Sequence, residues 1–445
     1  MGRTPPDQDE NRMIAIVTGA NSGFGLGICH LLLSSLSLPL STPIPLSQPQ
    51  PTALPAGLSC TASSSVSSAK TVPSSPPPTL TLILACRSGQ KASEAISLVL
   101  KKHYKELEQR RKAGVPVREG WKEGLKLVWE KVDLDSVGGK NGVLTFCERI
   151  RSTYPHITTL FLNAGYGAFS GTAYWTFIKQ IFTEGLSRAT SHPKHDIQIM
   201  GVKSSDGERG KVWGTNVFAA YLMVCLILDF PPVLTGILQI KELYPLLLRS
   251  PPSLPFPPRI IYTGSLEAES HNLHPNPLDD YQLLSYGRSY AASKYMGELI
   301  AVQFDKTLSS PSSPLRVLIA EPGIVQTSIF AQGLGAWAWL RTINWWFAWT
   351  ALYLARLLGS VHHPVYPEQG AMPILYSALV ASQYLLPASK VPAPIFGARS
   401  SRWGKTTVKY GEVDQWEQME SVGEGLMERC EALRKDWRRR EGLDV

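Results

Sequence analysis

The chain has 445 residues, 44% of them apolar and 18% charged, with a formal net charge of +8. That length supplies a large core, and the apolar content excludes a disordered chain. The basic residues are dispersed apart from 434–440 (RKDWRRR), and the absence of zinc-finger spacing or a continuous basic stripe excludes a nucleic-acid partner. Six cysteines, none in a metal-ligand spacing, read as reduced thiols, so no metal site is expected. The polar stretch MGRTPPDQDENR lacks a signal-like apolar core.

Residues 12–33 (RMIAIVTGANSGFGLGICHLLL) read as a buried strand, a glycine-rich turn and a helix. Thr18, Gly19, Gly23 and Gly25 spell TGxxxGxG across that turn, with Asn21, Ser22 and Phe24 between. Glycine lets the backbone turn tightly and approach a pyrophosphate, and the helix start offers free N–H groups. Residues 36–78 are rich in Ser and Pro and predict a disordered excursion, placed where the first helix returns to the sheet edge opposite the ligand crevice.

Residues 79–88 (TLTLILACRS) predict a second strand ending at Arg87, followed by a long helix. No acidic residue occupies 85–90, where one would bond the adenosine ribose, so Arg87 reads as the partner of a 2′-phosphate and the cofactor as NADP(H). A third strand spans 125–136 and ends at Asp133, a candidate acceptor for the adenine amine. A helix over 138–153 leads to a fourth strand at 157–165, ending in Asn163, Ala164 and Gly165 where backbone passes the cofactor. The helix carrying Asn216 is interrupted by 225–240 (CLILDFPPVLTGILQI). With those residues excised, Val217, Tyr221, Val224, Tyr244 and Leu247 form one helical stripe, which reads as a retained intron or a loop insertion.

A fifth strand over 258–265 ends at Ser265, and a sixth over 315–323 ends at Pro322 and Gly323, with Thr327 placed to bond a carboxamide. Between them, RSYAASKYMGEL puts Tyr290 and Lys294 four apart on one helix face. Each candidate site residue on a strand falls at its C-terminal end, where a doubly wound parallel sheet binds ligand. The alternation predicts a single Rossmann-type α/β domain over 12–330, strand order 3-2-1-4-5-6. A Trp-rich substrate lid and a sheet-covering helix at 367–379 follow within 331–400, then a charged helix within 410–445 that is either solvated or holds a partner. Trp337, Trp339, Trp345, Trp346 and Trp349, near Arg341 and Arg356, suit a membrane interface rather than a span.

Together, TGxxxGxG, DLxS, NAG, Asn216, Ser265, YxxxK and PGxxxT resemble the short-chain dehydrogenase/reductase family over about 13–385. The resemblance implies that Tyr290 is the acid–base residue, that Lys294 binds the cofactor ribose and lowers the tyrosine's pKa, that Ser265 polarises the carbonyl and that Asn216 holds a relay water. Ser265 and Tyr290 are 25 apart, longer than the family's usual spacing. Tyr286 is a rival tyrosine, without a lysine four residues on. The extra segment, and the long one after NAG, resemble fungal 3-keto-steroid reductases of sterol C4 demethylation and the animal type 7 17β-hydroxysteroid dehydrogenases. This implies reduction of a 4-methyl sterol ketone in ergosterol synthesis on the cytosolic face of the endoplasmic reticulum or on lipid droplets. Implied partners are the membrane surface and other demethylation enzymes. A retinoid, lipid or polyketide ketone is the alternative substrate, and a non-catalytic scaffold the alternative role.

Overall fold

The computed structural model describes residues 12–39, 50–55, 79–228, 246–247, 249–250, 254, 256–309, 313–325 and 338–443. Strands in chain order are β1 (Arg12–Thr18), β2 (Thr79–Cys86), β3 (Leu125–Lys131), β4 (Thr159–Leu162), β5 (Phe169–Thr172), β6 (Asp196–Gln198), β7 (Arg259–Thr263), β8 (Arg316–Glu321), β9 (Ile395–Ser400) and β10 (Thr406–Gly411). Eight of them form one sheet, ordered β10-β9-β8-β7-β4-β1-β2-β3, and β5 and β6 pair separately. All ladders of the large sheet are parallel except β10 on β9. The predicted six-strand order is therefore present, with β9 and β10 added beyond the sixth strand.

The central strands β1 and β4 are buried along their whole length, as continuous apolar runs covered on both faces should be. Edge strand β3 is only half-buried and carries Lys126, Glu130 and Lys131, charges that discourage edge pairing. One face is covered by α1 (Gly23–Leu36), α2 (Gly89–Lys112) and α9 (Pro367–Leu379). The other is covered by α3 (Val143–Thr153), α6 (211–228), α7 (Ser289–Leu308) and α10 (Glu420–Arg440). Helices α4 (Tyr174–Glu184), α5 (Leu186–Ser191) and α8 (Ala338–Leu357) lie at the strands' C-terminal side, bordering the cleft described below. Helix α6 is three pieces in series: Lys211–Trp213, a π-helical turn Gly214–Phe218, and Ala219–Leu228.

Three expectations change. Residues 50–55 of the Ser/Pro-rich stretch are ordered: Val408 N–H donates to Gln50 Oε1 at 3.0 Å and Thr52 Oγ1 donates to Val408 O at 2.5 Å. This turn satisfies polar groups that edge strand β10 would otherwise present to solvent. The rest of the stretch, 40–49 and 56–78, lies outside the described residues. The C-terminal helix is neither appendage nor free, since Leu426 and Cys430 are fully buried against α6 and α7. Its inward polar groups are matched: Tyr221 OH donates to Glu431 at 3.0 Å and Arg434 pairs with the same carboxylate at 2.7 Å. Arg356, expected to flank a membrane-facing helix, is buried and stacks on the Tyr353 ring at 4.7 Å. Of 225–240, only Cys225–Leu228 is described, as the end of α6; the remainder, the expected interruption, lies outside.

Candidate active site

Thr18 ends β1 fully buried, and its hydroxyl ties two strands together. Oγ1 donates to Phe161 O at 3.2 Å and accepts from the N–H groups of Asn163 and Ala164 at 2.9 and 3.0 Å. The Asn163 amide donates back to Thr18 O at 3.0 Å, so Asn163 fixes the turn it follows. Gly19 takes φ +65°, and a Cβ there would sit 3.0 Å from Ala164 Cβ. A Cβ on Gly25 would sit 2.3 Å from Gly19 O, so only glycine lets α1 start this close to the turn. Ser22 at the helix start is extended and makes no side-chain cap. The first-turn N–H groups of α1 are thus left without a side-chain acceptor, beside Asn21 and Phe24, as an anion site requires. Arg87 stands exposed just beyond β2. Asp133 is half-buried, and one of its carboxylate oxygens accepts from Asp135 N–H at 3.1 Å in a local turn.

The π-helical turn places Asn216 against the loop after β4. Its Oδ1 accepts from Tyr166 N–H at 2.7 Å, and its Nδ2 donates to Tyr166 O at 2.9 Å and to Ser293 Oγ at 2.8 Å. The Asn216 side chain therefore braces the loop after β4 against Ser293.

Helix α7 is pinned at both ends. At its start, Gln198 Oε1 on β6 accepts from Tyr290 N–H at 2.9 Å and Ser289 Oγ at 3.0 Å. Near its end, buried Asp305 pairs with Arg316 at 2.8 Å and accepts from the N–H groups of Val317 and Ala393. Lys294 Nζ donates to Thr263 O at 3.0 Å and lies 5.9 Å from the centre of the Tyr290 ring. A Cβ on Gly165 would be 3.5 Å from both Lys294 Nζ and Asn216 Oδ1, so that glycine keeps the floor between them open.

Burial pushes the Lys294 ammonium down to about 8, against the opposing pull of Glu298. The Tyr290 phenol moves the opposite way from the expectation: burial first, then the charges of Glu267 and Asp196, push it well above its usual range. Tyr290 is thus a neutral phenol, a form suited to giving a proton. Glu267 is itself raised to about 8 by burial and by Asp196, and Asp196 to about 6 by burial.

Tyr290, Lys294, Ser265, Asn163, Gly165, Phe24, Pro322 and Gly323 all border one cleft of about 260 Å³. Gly323 takes φ +69°, and a Cβ there would press on His362 O and Pro364 at 2.9 Å. Thr327 lies outside the described residues. Tyr286 is turned away, its hydroxyl donating to Leu273 O at 3.2 Å, which removes the rival. The cleft's outer wall is apolar and aromatic: Phe169, whose ring is 5.4 Å from that of Tyr290, then Tyr174 and Phe177 of α4 and Phe347, Ala351 and Leu352 of α8.

No family model matches the chain. Among curated proteins it is 25% identical to 3-keto-steroid reductase ERG27 of Saccharomyces cerevisiae, covering 91% of this chain and 90% of that protein. It is 24% identical to 3-keto-steroid reductase erg27 of Aspergillus fumigatus, covering 98% and 88%. The chain resembles the 3-keto-steroid reductases of fungi, as its motifs resemble the short-chain dehydrogenase/reductase family. Similar solved structures are salutaridine reductase from Papaver somniferum (16% identity, TM-score 0.45, 86% of this chain and 98% of that one) and an alcohol dehydrogenase from the archaeon Thermococcus sibiricus complexed with 5-hydroxy-NADP (12%, TM-score 0.41, 88% and 97%).

Sequence reasoning missed Asp196 and Gln198, which lie on the short strand β6, and Glu267, which lies in the loop after β7. It also missed α4 as a wall of the cleft. Trp175 and Phe182 on α4 are more than four-fifths exposed, a signal of apolar residues on a polar-faced helix that the sequence does carry.

Proposed function

We propose that the chain, an oxidoreductase acting between C=O and CH–OH, reduces the 3-keto group of a 4-methyl sterol intermediate to the 3β-hydroxyl with NADPH, in ergosterol synthesis. The observation that carries this reading is the single cleft in which Ser265, Tyr290 and Lys294 meet an aromatic, apolar wall. A flat lipophilic ketone suits such a wall, and the curated relatives carry the matching name.

The residues fit NADP(H). The uncapped first turn of α1 with Gly19, Gly23 and Gly25 would hold the pyrophosphate, and exposed Arg87 the 2′-phosphate. Asp133 would take the adenine amine. Asn163, Ala164 and Gly165 would flank the bound group, with Pro322 and Gly323 beside the nicotinamide and Lys294 at the ribose. When bound, NADPH supplies the hydride. The protein supplies the rest: Ser265 donates a hydrogen bond to the carbonyl oxygen, neutral Tyr290 gives that oxygen its proton, and the Lys294 ammonium stabilises the phenolate left behind. The aromatic wall excludes water while this happens.

The same wall continues outward as an apolar surface. Tyr174, Ile178 and Phe182 recur at steps of four on α4 beside Trp175, and Trp346, Leu354, Leu357 and Leu358 stand exposed on and just after α8. The rings of Phe177 and Phe347 join the two helices, 6.3 Å apart. Among the described residues no helix is long and apolar enough to cross a membrane. This surface supports a peripheral seat on the endoplasmic reticulum, with the cleft mouth opening toward lipid. The deciding experiment follows NADPH oxidation over a panel of sterol, retinoid and polyketide ketones. Turnover highest with a 4-methyl-3-keto sterol is expected; turnover only with one of the other classes replaces the substrate assignment.

A further inference from the structure

The helix face that presents Tyr290 and Lys294 carries a third polar group. Glu298 follows Lys294 by one turn and is only 3% exposed. Its Oε1 lies against the backbone beside Ser265: a Cβ on Gly264 would sit 2.5 Å from it. The Ser265 main chain lies beside this carboxyl and pulls its pKa down, against the larger effect of burial. That contact falls just past the end of β7, where Gly264 N–H donating to Ala320 O at 2.9 Å holds the preceding residue. The second oxygen, Oε2, has no protein partner and borders a small internal space of about 20 Å³, enough for about one water molecule. Lys294 lines the same space, with Thr215, Tyr262 and Thr263, whose hydroxyls are also buried without partners.

We propose that Glu298 is a positioning residue: a buried carboxyl that packs the main chain at Gly264 and Ser265 against the helix face bearing Tyr290 and Lys294. The inference rests on the roles given above to those three residues. The charged groups facing Glu298 are Glu321 from β8, Lys294 from its own helix and Asp414 from the segment before α10. Burial, reinforced by Glu321, raises the carboxyl's pKa well above its ordinary range, opposed only in part by the Ser265 main chain and Lys294. A protonated acid accepts with one oxygen and donates with the other, which suits main chain on one side and a polar, water-sized space on the other. Gly264 is glycine because the carboxyl comes so near. Without Glu298, the turn at Gly264 would lose the side chain packed against it, and the Ser265 hydroxyl that must meet the substrate oxygen would drift.

The test compares Glu298→Gln and Glu298→Met with Tyr290→Phe, measuring kcat, both KM values, NADPH binding and the pH profile. The Met variant should lose about 10- to 100-fold in kcat, as misplacement predicts, with NADPH affinity within about twofold of wild type. The Gln variant keeps a neutral acceptor, so it should recover most of that loss with its alkaline limb unmoved. Wild-type kcat in the Met variant overturns the proposal. So does a Gln variant as slow as Met whose alkaline limb moves to lower pH, since Glu298 is then an ionised partner of Lys294. If the Met variant does not fold, Gly264→Ala replaces it, with the same loss of kcat expected and an unchanged kcat fatal. The Tyr290→Phe arm separates the two levels: an inactive Phe variant beside a fully active Met variant removes only the positioning role, whereas an active Phe variant removes the underlying reading.

Discussion

Tyr290 is half-buried, neutral and held by its backbone N–H to Gln198, so a change at its hydroxyl should leave the helix in place. Tyr290→Phe is expected to lower kcat by about 10²- to 10⁴-fold, the range for losing a general acid, while NADPH titrates with nearly wild-type affinity. Retained turnover would reject the assignment. Lys294 titrates near about 8 because it is buried, and its ammonium is lost as pH rises through that value. A kcat/KM profile should therefore fall on the alkaline side above about pH 8; a flat profile to pH 10 would leave the ammonium without a role. Arg87→Asp removes the one cation expected at the 2′-phosphate and should reverse a preference for NADPH over NADH in a binding titration. The Tyr–Lys pair and the glycine turn were legible because helix and turn geometry convert spacing directly into placement. Asp196 and Glu267 were not, because nothing local tells which carboxylate of a short strand or loop comes to lie near Tyr290. The direction of the Tyr290 shift also escaped, since burial outweighs a lysine whose ammonium is turned to Thr263 O.

At the level of elements, α9 was read from the sequence with the bounds it has, 367–379, because proline at its start and an apolar stripe set its limits. The strands ran two to five residues too long in the reading, since the motif residues at their ends, such as Arg87, Asp133, Asn163, Ser265 and Gly323, lie in the turns that follow the ladders. Strands β9 and β10 went unread; FGARSSRWGKTTVKY carries little apolar periodicity, and its pairing depends on β8 being next to it. The aromatic wall makes two elements answerable to one experiment. Replacing Trp175 and Phe182 on α4, or Trp346 and Trp349 on α8, by Ser should shift the chain from the membrane pellet to the soluble fraction and raise KM for a sterol ketone. High salt alone should release little, because apolar burial is not screened. If neither pair changes the partition, the surface is not a membrane seat. A transcript should lack the codons for about 225–240 if that stretch is a retained intron; an active product that keeps them refutes this.

For the whole molecule, the six-strand order followed from alternating strands and helices and from the right-handed crossover, rules that need no contact information. The covering of α6 and α7 by α10 did not follow from them, because a charged helix with a narrow apolar stripe reads the same whether solvated or docked. Leu426 is fully buried there, and Leu426→Ala should cost about 2–5 kcal/mol in a denaturant titration; a cost below about 0.5 would mean α10 is not integral. The contacts that close the fold also span great lengths of chain. Tyr221 meets Glu431 across 210 residues, and Val408 meets Gln50 across 358. Each such contact must wait for a long loop to close, so this topology sets a slow kinetic course. The parallel core β3-β2-β1-β4 can assemble first, while the outer face of α6 and α7 stays greasy and unclaimed until α10 arrives. During that interval the helices that bear Asn216, Tyr290 and Lys294 are the surface most open to capture by another chain.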